Sequence, residues 1–482
     1  MAENIILTPS QQSAFDKITK FVQDKNQKVF ILTGYAGTGK TTITKQVIKY
    51  LDEKKRLYEL CASTGRAAKI LSDMSGRETT TIHSLIYKYL DFDKDLDEEI
   101  SLANKKQSSD KPLYLIFGFE ARPKESQGGI YIIDESSMIG DVRQDTTTQA
   151  VFGSGRLLSD LMQYDPQGKF IFIGDDCQLP PVTQRVSPAL SADYFKDAFN
   201  ITPQTARLTE IMRQRNGNDI VQAAAVIRRE YENAPAENID GQPTKNNWKF
   251  LYWRNSNNIK IVANSKLLLQ KYIETIKESN YSKATLITNS NANCMKLSNA
   301  IRSALGLHSI ICVGDLLLVT QNNLISGLMN GDLVKVKSIG ASSYCATLHF
   351  VQVRVENVST GAEYSQLMIA DILNNHTVNL TSEQQKSLFI DFAIRMRKKG
   401  YKQHSNEFKT AMYEDEYLNA LRCVYGYALT CHKAQGGEWD EVFLSPARNI
   451  TLNPVKANYQ WIYTAMTRAK KYLYVADDFF IK

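Results

Sequence analysis

The chain has 482 residues, 43% of them hydrophobic and 23% charged, with a formal net charge of +7. That is the make-up of a globular protein of about three domains. No apolar run approaches the roughly 20 residues of a membrane span, so no membrane partner is expected, and the mild positive balance suits a polyanionic partner without requiring one. Seven cysteines are scattered without a C-x-x-C pair, and the first residues show no basic stretch leading into an apolar one. The expectation is a reducing compartment, the cytoplasm, with neither a zinc site nor a secretory leader.

Leu7-Thr8-Pro9-Ser10-Gln11-Gln12-Ser13-Ala14-Phe15 opens a helix, with Thr8 or Ser10 as cap and Pro9 in the first turn. A Gln11 carboxamide there can pair with adenine N6 and N7 together, or be an ordinary surface glutamine. Val29-Phe30-Ile31-Leu32 then reads as a buried parallel strand, and Ile43, Val47, Ile48 and Leu51 mark one face of a helix. Between them stands Gly34-Tyr35-Ala36-Gly37-Thr38-Gly39-Lys40-Thr41, the G-x-x-x-x-G-K-T phosphate loop in its strand–loop–helix context. Its glycines, with Thr38, let backbone N–H groups curl around a β-phosphate. Lys40 can reach the β- and γ-phosphates, and the Thr41 hydroxyl can hold Mg²⁺, which makes ATP with Mg²⁺ the expected ligand.

Tyr58 to Ser63 reads as a second strand running into Thr64-Gly65-Arg66-Ala67-Ala68, and Thr79 to Ser84 follows with His83. Thr64 at a strand end is either a phosphate contact or a helix cap. An acidic cluster from Asp91 to Glu99 precedes the β-rich run Leu113–Phe119, so residues 87–128 read as an insertion, a hairpin that presents Phe117 and Phe119 or a plain core strand. Gly129–Glu135 is an apolar strand ending in two acids, as a Walker B element does. Asp134 would enter the Mg²⁺ shell and Glu135 would orient or deprotonate the attacking water.

Lys169 to Pro181 is another strand ending in a polar turn, from which Gln178 could sense a γ-phosphate or water. Ala284 to Asn289 reads as a buried strand. The stretches 314–319, 330–336 and 346–358 alternate into short strands of a small β-barrel, and 388–421 is more helical with a basic patch at Arg395, Arg397, Lys398, Lys399 and Lys402. Tyr427 to Asp440 returns to a strand and a glycine turn, with a helix at 461–470 and a last strand at 472–475.

Taken in order, these stretches resemble the motifs of the superfamily 1 helicases, in the 5′-to-3′ branch that holds phage Dda helicase and RecD-like enzymes. Leu7–Phe15 is similar to the Q motif, Gly34–Thr41 with Thr42 to motif I, Asp134-Glu135 to motif II, and Gly174–Gln178 to motif III. Leu208-Thr209-Glu210 with Arg213 resembles motif IV, Thr430-x-His432-Lys433-x-Gln435-Gly436 motif V with Glu438 just beyond it, and Tyr463–Arg468 motif VI. The resemblance implies an α/β protein of two RecA-like motor domains, at 1–86 with 129–200 and at 201–334 with 422–482. Insertions are expected at 87–128, hairpin-type with a duplex-splitting pin, and at 335–421, an SH3-like β-barrel with helices. ATP would lie between the motors, with Gly436 and Glu438 among its contacts. Arg213 and Arg468 would reach across the cleft as fingers that neutralise the γ-phosphate.

Thr64 and His83 in the first domain, and Thr430 and His432 in the second, would face single-stranded DNA. The implied protein is a monomer in a bacterial or phage-infected cell, acting on single strands and forked duplex, with replication or recombination proteins as partners. Two other functions share the loop and the acids: ATP-dependent RNA remodelling, and a nucleotide-switched clamp that binds a single strand without unwinding.

Overall fold

The computed structural model describes residues 6–92, 117–121, 123–124, 127–143, 150–210, 218–235, 256–277, 281–375, 378–403, 405–478 and 481. Among them no helix is long and apolar enough to cross a membrane.

The strands in chain order are β1 (Val29–Gly34), β2 (Tyr58–Ala62), β3 (Thr79–Thr81), β4 (Tyr87–Phe92), β5 (Phe117–Ala121), β6 (Ile130–Asp134), β7 (Ala150–Phe152), β8 (Lys169–Gly174) and β9 (Gln204–Leu208). Six of them form one parallel sheet in the order β3-β2-β6-β8-β1-β9. A parallel sheet is covered on both faces, so its strands are apolar at successive positions. Phe30 and Leu32 of β1 meet Ile18 and Phe21 of the helix Pro9–Gln23 and Ile43 and Val47 of the helix Lys40–Glu53. Val29 and Ile31 face the other way, onto Phe170 and Phe172 of β8, Leu158 and Leu161 of the helix Leu157–Tyr164, and Phe195. Every strand of this sheet points its carboxyl end to one edge, and the Thr64, Gly34–Thr41, Asp134-Glu135 and Asp175–Gln178 turns all follow those ends. In open α/β sheets that edge is where ligands bind.

The second half has β10 (Ile259–Val262), β11 (Ala284–Thr288), β12 (Leu316–Val319), β13 (Leu333–Cys345), β14 (Leu348–Asn357), β15 (Glu363–Ile369), β16 (Cys423–Tyr425), β17 (Ala428–Thr430), β18 (Trp439–Ser445) and β19 (Ala469–Ala476). Five make a second parallel sheet, β10-β19-β18-β11-β17. Its core takes Leu286, Phe443 and Leu473 from strands, Leu268 and Tyr272 from the helix Ser265–Lys277, and Ile220, Ala224 and Ile227 from the helix Asp219–Asn233.

Three expected boundaries move. The division at residues 200 and 201 separates β9 from its sheet, yet β9 pairs in register with β1, Phe30 opposite Gln204 and Gly34 opposite Leu208. The chain passes to the second half only between β9 and the helix Asp219–Asn233. The insertion expected at 335–421 is wider, because β12 and β16 pair with each other and β12 with β13, all antiparallel, in the order β15-β14-β13-β12-β16. Leu421 bridges Met368 and draws the outer strands of this sheet together. The insertion after residue 86 does contain the antiparallel pair β4 and β5. A third strand, β7, joins it from beyond Asp134, parallel to β5.

Candidate active site and strand-binding face

The phosphate loop is pre-shaped by its own backbone. Gly37 and Gly39 sit at φ +79° and +84°, a left-handed region that costs other residues about 1–2 kcal/mol each. A Cβ on Gly39 would also stand 2.3 Å from the Gln11 Nε2. The Lys40 ammonium donates to the carbonyls of Gly34 (2.8 Å) and Tyr35 (3.1 Å), and the Thr38 hydroxyl donates to Tyr35 (2.8 Å), so loop and lysine brace each other. Thr41 is exposed and Thr42 half-buried at the start of the helix, with Thr41 free to present its hydroxyl. Gln11 is buried. Its Nε2 donates to the Thr38 carbonyl (3.0 Å) and its Oε1 accepts from the Thr8 amide (3.0 Å) in a capping box. The carboxamide holds helix and loop together here, a task the surface reading of Gln11 does not contain.

Asp134 ends β6, and its Oδ1 accepts from the Glu135 amide (2.8 Å). Burial and the adjacent Glu135 carboxylate push its pKa up to about 6, against the pull of that amide and of Lys40. Glu135 itself has φ +50°, rare for a residue with a side chain. Ser63 Oγ donates to its carbonyl (2.9 Å) and helps hold it there. Strain of that kind, of order 1–3 kcal/mol, persists where surrounding structure over-determines it and gathers at functional sites.

The turn after β8 is sewn to the second half. Gln460 Nε2 donates to the Gln178 carbonyl (3.1 Å), the Leu179 amide donates to Thr464 Oγ1 (2.9 Å), and Gln435 Nε2 donates to the Leu179 carbonyl (3.1 Å). Cys177 and Leu179 belong to the second half's core. The Oε1 atoms of Gln178 and Gln435 are buried with no hydrogen-bond partner among the described residues. Arg468 is buried, and its guanidinium donates to Thr464 O (3.0 Å), Gly437 O (3.4 Å) and Thr467 Oγ1 (3.2 Å). It is turned onto its own half rather than reaching across. Arg213 lies outside the described residues.

Thr64 and Thr430 occupy matching places. Each follows a parallel strand and caps a helix, Thr64 Oγ1 accepting from the Ala67 amide (3.2 Å) and Thr430 Oγ1 from the Lys433 amide (3.3 Å). A hydroxyl that accepts still has its hydrogen to donate, so cap and phosphate contact are compatible. His83 is exposed, edge-on to Phe152 at 5.3 Å. His432 is half-buried, and burial lowers its pKa, which keeps the ring neutral near pH 7. Gly436 packs on Ala67, where a Cβ would find Ala67 Cβ at 3.5 Å, and Glu438 is exposed beyond it. Gly436 therefore sits beside the helix that Thr64 caps. Phe117 and Phe119 lie on β5, opposite Phe92 and Tyr89; their side chains lie outside the described residues. Of the basic patch, Arg395 is committed to Asp391 (2.7 Å) and Asp415 in a local ion-pair cluster.

Sequence reasoning missed Arg228. It is buried between Asp175 (2.5 Å) and Asp176, with its guanidinium 3.9 Å from the centre of the Tyr35 ring. The signal was its place in the period: residues 220, 224 and 228 share the apolar stripe of their helix, where an arginine needs a buried partner.

Residues 6–242 match the AAA domain family model, and residues 425–476 match the UvrD-like helicase C-terminal domain. An uncharacterised protein of Methanocaldococcus jannaschii is 26% identical over 96% of this chain and 38% of its own length. The ATP-dependent RecD2 DNA helicase of Deinococcus radiodurans is 29% identical over 45% of this chain and 23% of its own length. The chain thus spans well under half the length of these relatives. Among solved structures, a Pif1 helicase from Bacteroides with ADP-AlF3 and single-stranded DNA superposes with a TM-score of 0.48 at 18% identity, covering 99% of this chain and 93% of that one. The two halves thus match, in order, the AAA domain model and the UvrD-like helicase C-terminal domain, and RecD-type helicases are among the relatives that the chain resembles.

Proposed function

We propose that the chain is an ATP-driven motor that moves 5′ to 3′ along single-stranded DNA and separates the duplex ahead of it. The observation that carries this reading is the seam itself. The phosphate loop of one parallel-sheet half is touched by the helix Lys456–Met466 of the other, where Tyr463 Oη accepts from the Ala36 amide at 2.9 Å. A nucleotide in that loop lies where its arrival and loss can change how the halves meet. The halves act as two RecA-like motors, and the five-stranded antiparallel sheet as an SH3-like insertion in the second.

The residues fit ATP with Mg²⁺: a left-handed glycine cradle with no room for a Cβ at Gly39, an exposed Thr41 hydroxyl and the Asp134 carboxylate at the next-but-one strand end. Thr41 and Asp134 would hold the ion, which when bound neutralises charge on the phosphate oxygens. Lys40 binds the same oxygens as a point charge. Glu135, at its strained turn, orients the water and takes its proton. Gln178 has an unpartnered buried oxygen at the seam and can reorganise when the phosphate changes. Arg468 must leave its carbonyl partners to act as a finger, so closure is part of its role.

On the strand side, Thr64 and Thr430 give one grip per half, the minimum for a motor that holds with one while the other slides. Such a motor grips backbone and does not read base edges. Thr64→Ala and Thr430→Ala should each weaken single-strand binding, by about 3- to 10-fold, and lower DNA-stimulated ATPase. Because each substitution also removes a cap worth about 1 kcal/mol, Thr→Ser is the control: it keeps a hydroxyl and should restore binding. Serine variants as weak as the alanine ones would show that the methyl group, not the hydroxyl, matters. Binding should also fall as salt rises.

Direction is tested with forks that carry only a 5′ or only a 3′ tail. Unwinding of the 5′-tailed fork is expected. Preference for the 3′ tail would overturn the direction, and activation of the ATPase by RNA alone would overturn the choice of strand.

A further inference from the structure

A hydrogen-bond chain carries the Ala36–Tyr463 contact across the seam to residues to which the mechanism above gives no role. The Ala36 amide in the phosphate loop donates to Tyr463 Oη (2.9 Å). The Tyr463 hydroxyl donates to Asp175 Oδ2 (2.7 Å). Asp175 Oδ1 accepts from Arg228 (2.5 Å) and from the Cys177 amide (3.1 Å). Arg228 also binds Asp176, and its guanidinium lies over the Tyr35 ring, one residue before Ala36. Asp175, Arg228 and Tyr463 are each 1% exposed. Ala36 and Asp175 belong to the first half, Tyr463 and Arg228 to the second.

The directions matter. A phenol has one hydrogen, and here the buried carboxylate takes it, which leaves the phenol oxygen to accept from the loop. Asp175 in turn is held by Arg228. The loop amide at Ala36 is therefore paired only while the two halves keep this alignment. The seam also has slack. A void of about 10 Å³ lies between the loop and the helix Asp219–Asn233, lined by Ala36, Ala224, Arg228 and Tyr463. Elsewhere in the seam the Gln178 and Gln435 Oε1 atoms are buried without a hydrogen-bond partner among the described residues, polar groups that a shift of one half against the other can pair.

The far end of the chain leads to the strand-binding face. Tyr463 sits on the helix Lys456–Met466, whose Trp461 carbonyl accepts from Cys431 Sγ (3.5 Å). Cys431 opens the short helix that Thr430 caps. Phosphate loop, phenol, helix and threonine cap are contiguous.

We infer that Tyr463 and Asp175 are a positioning relay that couples nucleotide binding at the phosphate loop to the second half's hold on single-stranded DNA. This rests on the proposed motor function. Neither residue touches the reacting atoms; both set where the second half stands. Arg228 orients Asp175, and its planar fork gives a separate nitrogen to each of the two carboxylates, a fixed geometry that the point charge of a lysine does not reproduce.

The test measures coupling, not turnover. The Kd of a fluorescent oligo-dT is taken with and without a non-hydrolysable ATP analogue and Mg²⁺, and the ratio of the two is the coupling factor, typically 5- to 150-fold between linked sites. Tyr463→Phe keeps the ring and removes the hydroxyl. Its ratio should fall to within about twofold of unity, and Arg228→Lys, which keeps the charge, should fall part of the way. A Tyr463→Phe ratio equal to wild type overturns the relay, as does wild-type protein that binds both ligands without coupling. Wild-type protein that binds neither overturns the motor reading and the relay with it. If Tyr463→Phe does not fold, the Arg228→Lys ratio decides alone.

Discussion

Lys40→Ala is expected to lower ATP turnover by at least about 10²–10³-fold, the scale of removing one pre-placed charge from an oxyanion or phosphoryl site. The side chain has two tasks in this structure. It bonds the carbonyls of Gly34 and Tyr35, and so ties the start of the loop to the start of the helix. It is also the cation of the loop itself, close enough to lower the pKa of Asp134. Alanine loses both, so affinity for ATP and turnover should fall together. Single-strand binding without nucleotide should survive, because Thr64 and Thr430 belong to other strand ends. The measurement is steady-state ATPase with oligo-dT beside oligonucleotide binding without nucleotide. Wild-type turnover in the variant would remove the phosphate-loop assignment.

Glu135→Gln should separate binding from chemistry. The substitution keeps size and hydrogen bonding but removes the base, and a positioned general base contributes about 10²–10⁴-fold. Turnover should fall by that factor while ATP still binds. Glutamine should take the φ +50° backbone no worse than glutamate, and the Ser63 bond to the carbonyl is untouched. Loss of the negative charge also removes one cause of the raised Asp134 pKa, so ATP–Mg²⁺ binding should hold or tighten. The comparison needed is Kd for ATP against single-turnover rate. A kcat within a few-fold of wild type would assign activation of the water to another residue.

What the amino-acid sequence determined by itself is local chemistry on a repeating pattern. A glycine loop with Lys40 and Thr41, an apolar strand ending in Asp134-Glu135, and strand ends at Thr64 and Thr430 are all readable. The reason is that a parallel strand buried on both faces is a continuous apolar run, and the polar residue that breaks it marks the ligand edge. The helices around the loop were legible from their period for the same reason. Other features depended on pairings made across long separations. β9 lies 170 residues after β1 yet completes its sheet, and β12 and β16 are a hundred residues apart. Nothing in Gln204–Leu208 names its neighbour, because backbone hydrogen bonds carry no residue identity.

The seam was decided at the same level. Tyr463 and Arg228 look like one aromatic and one cation in their own helices, and Arg468 looks like a free finger. Only packing shows that Tyr463 and Arg228 converge on Asp175 while Arg468 is held by carbonyls of its own half. A buried charge is tolerable only beside its partner, and which partner stands beside it is settled by how two sheets dock, not by spacing along the chain.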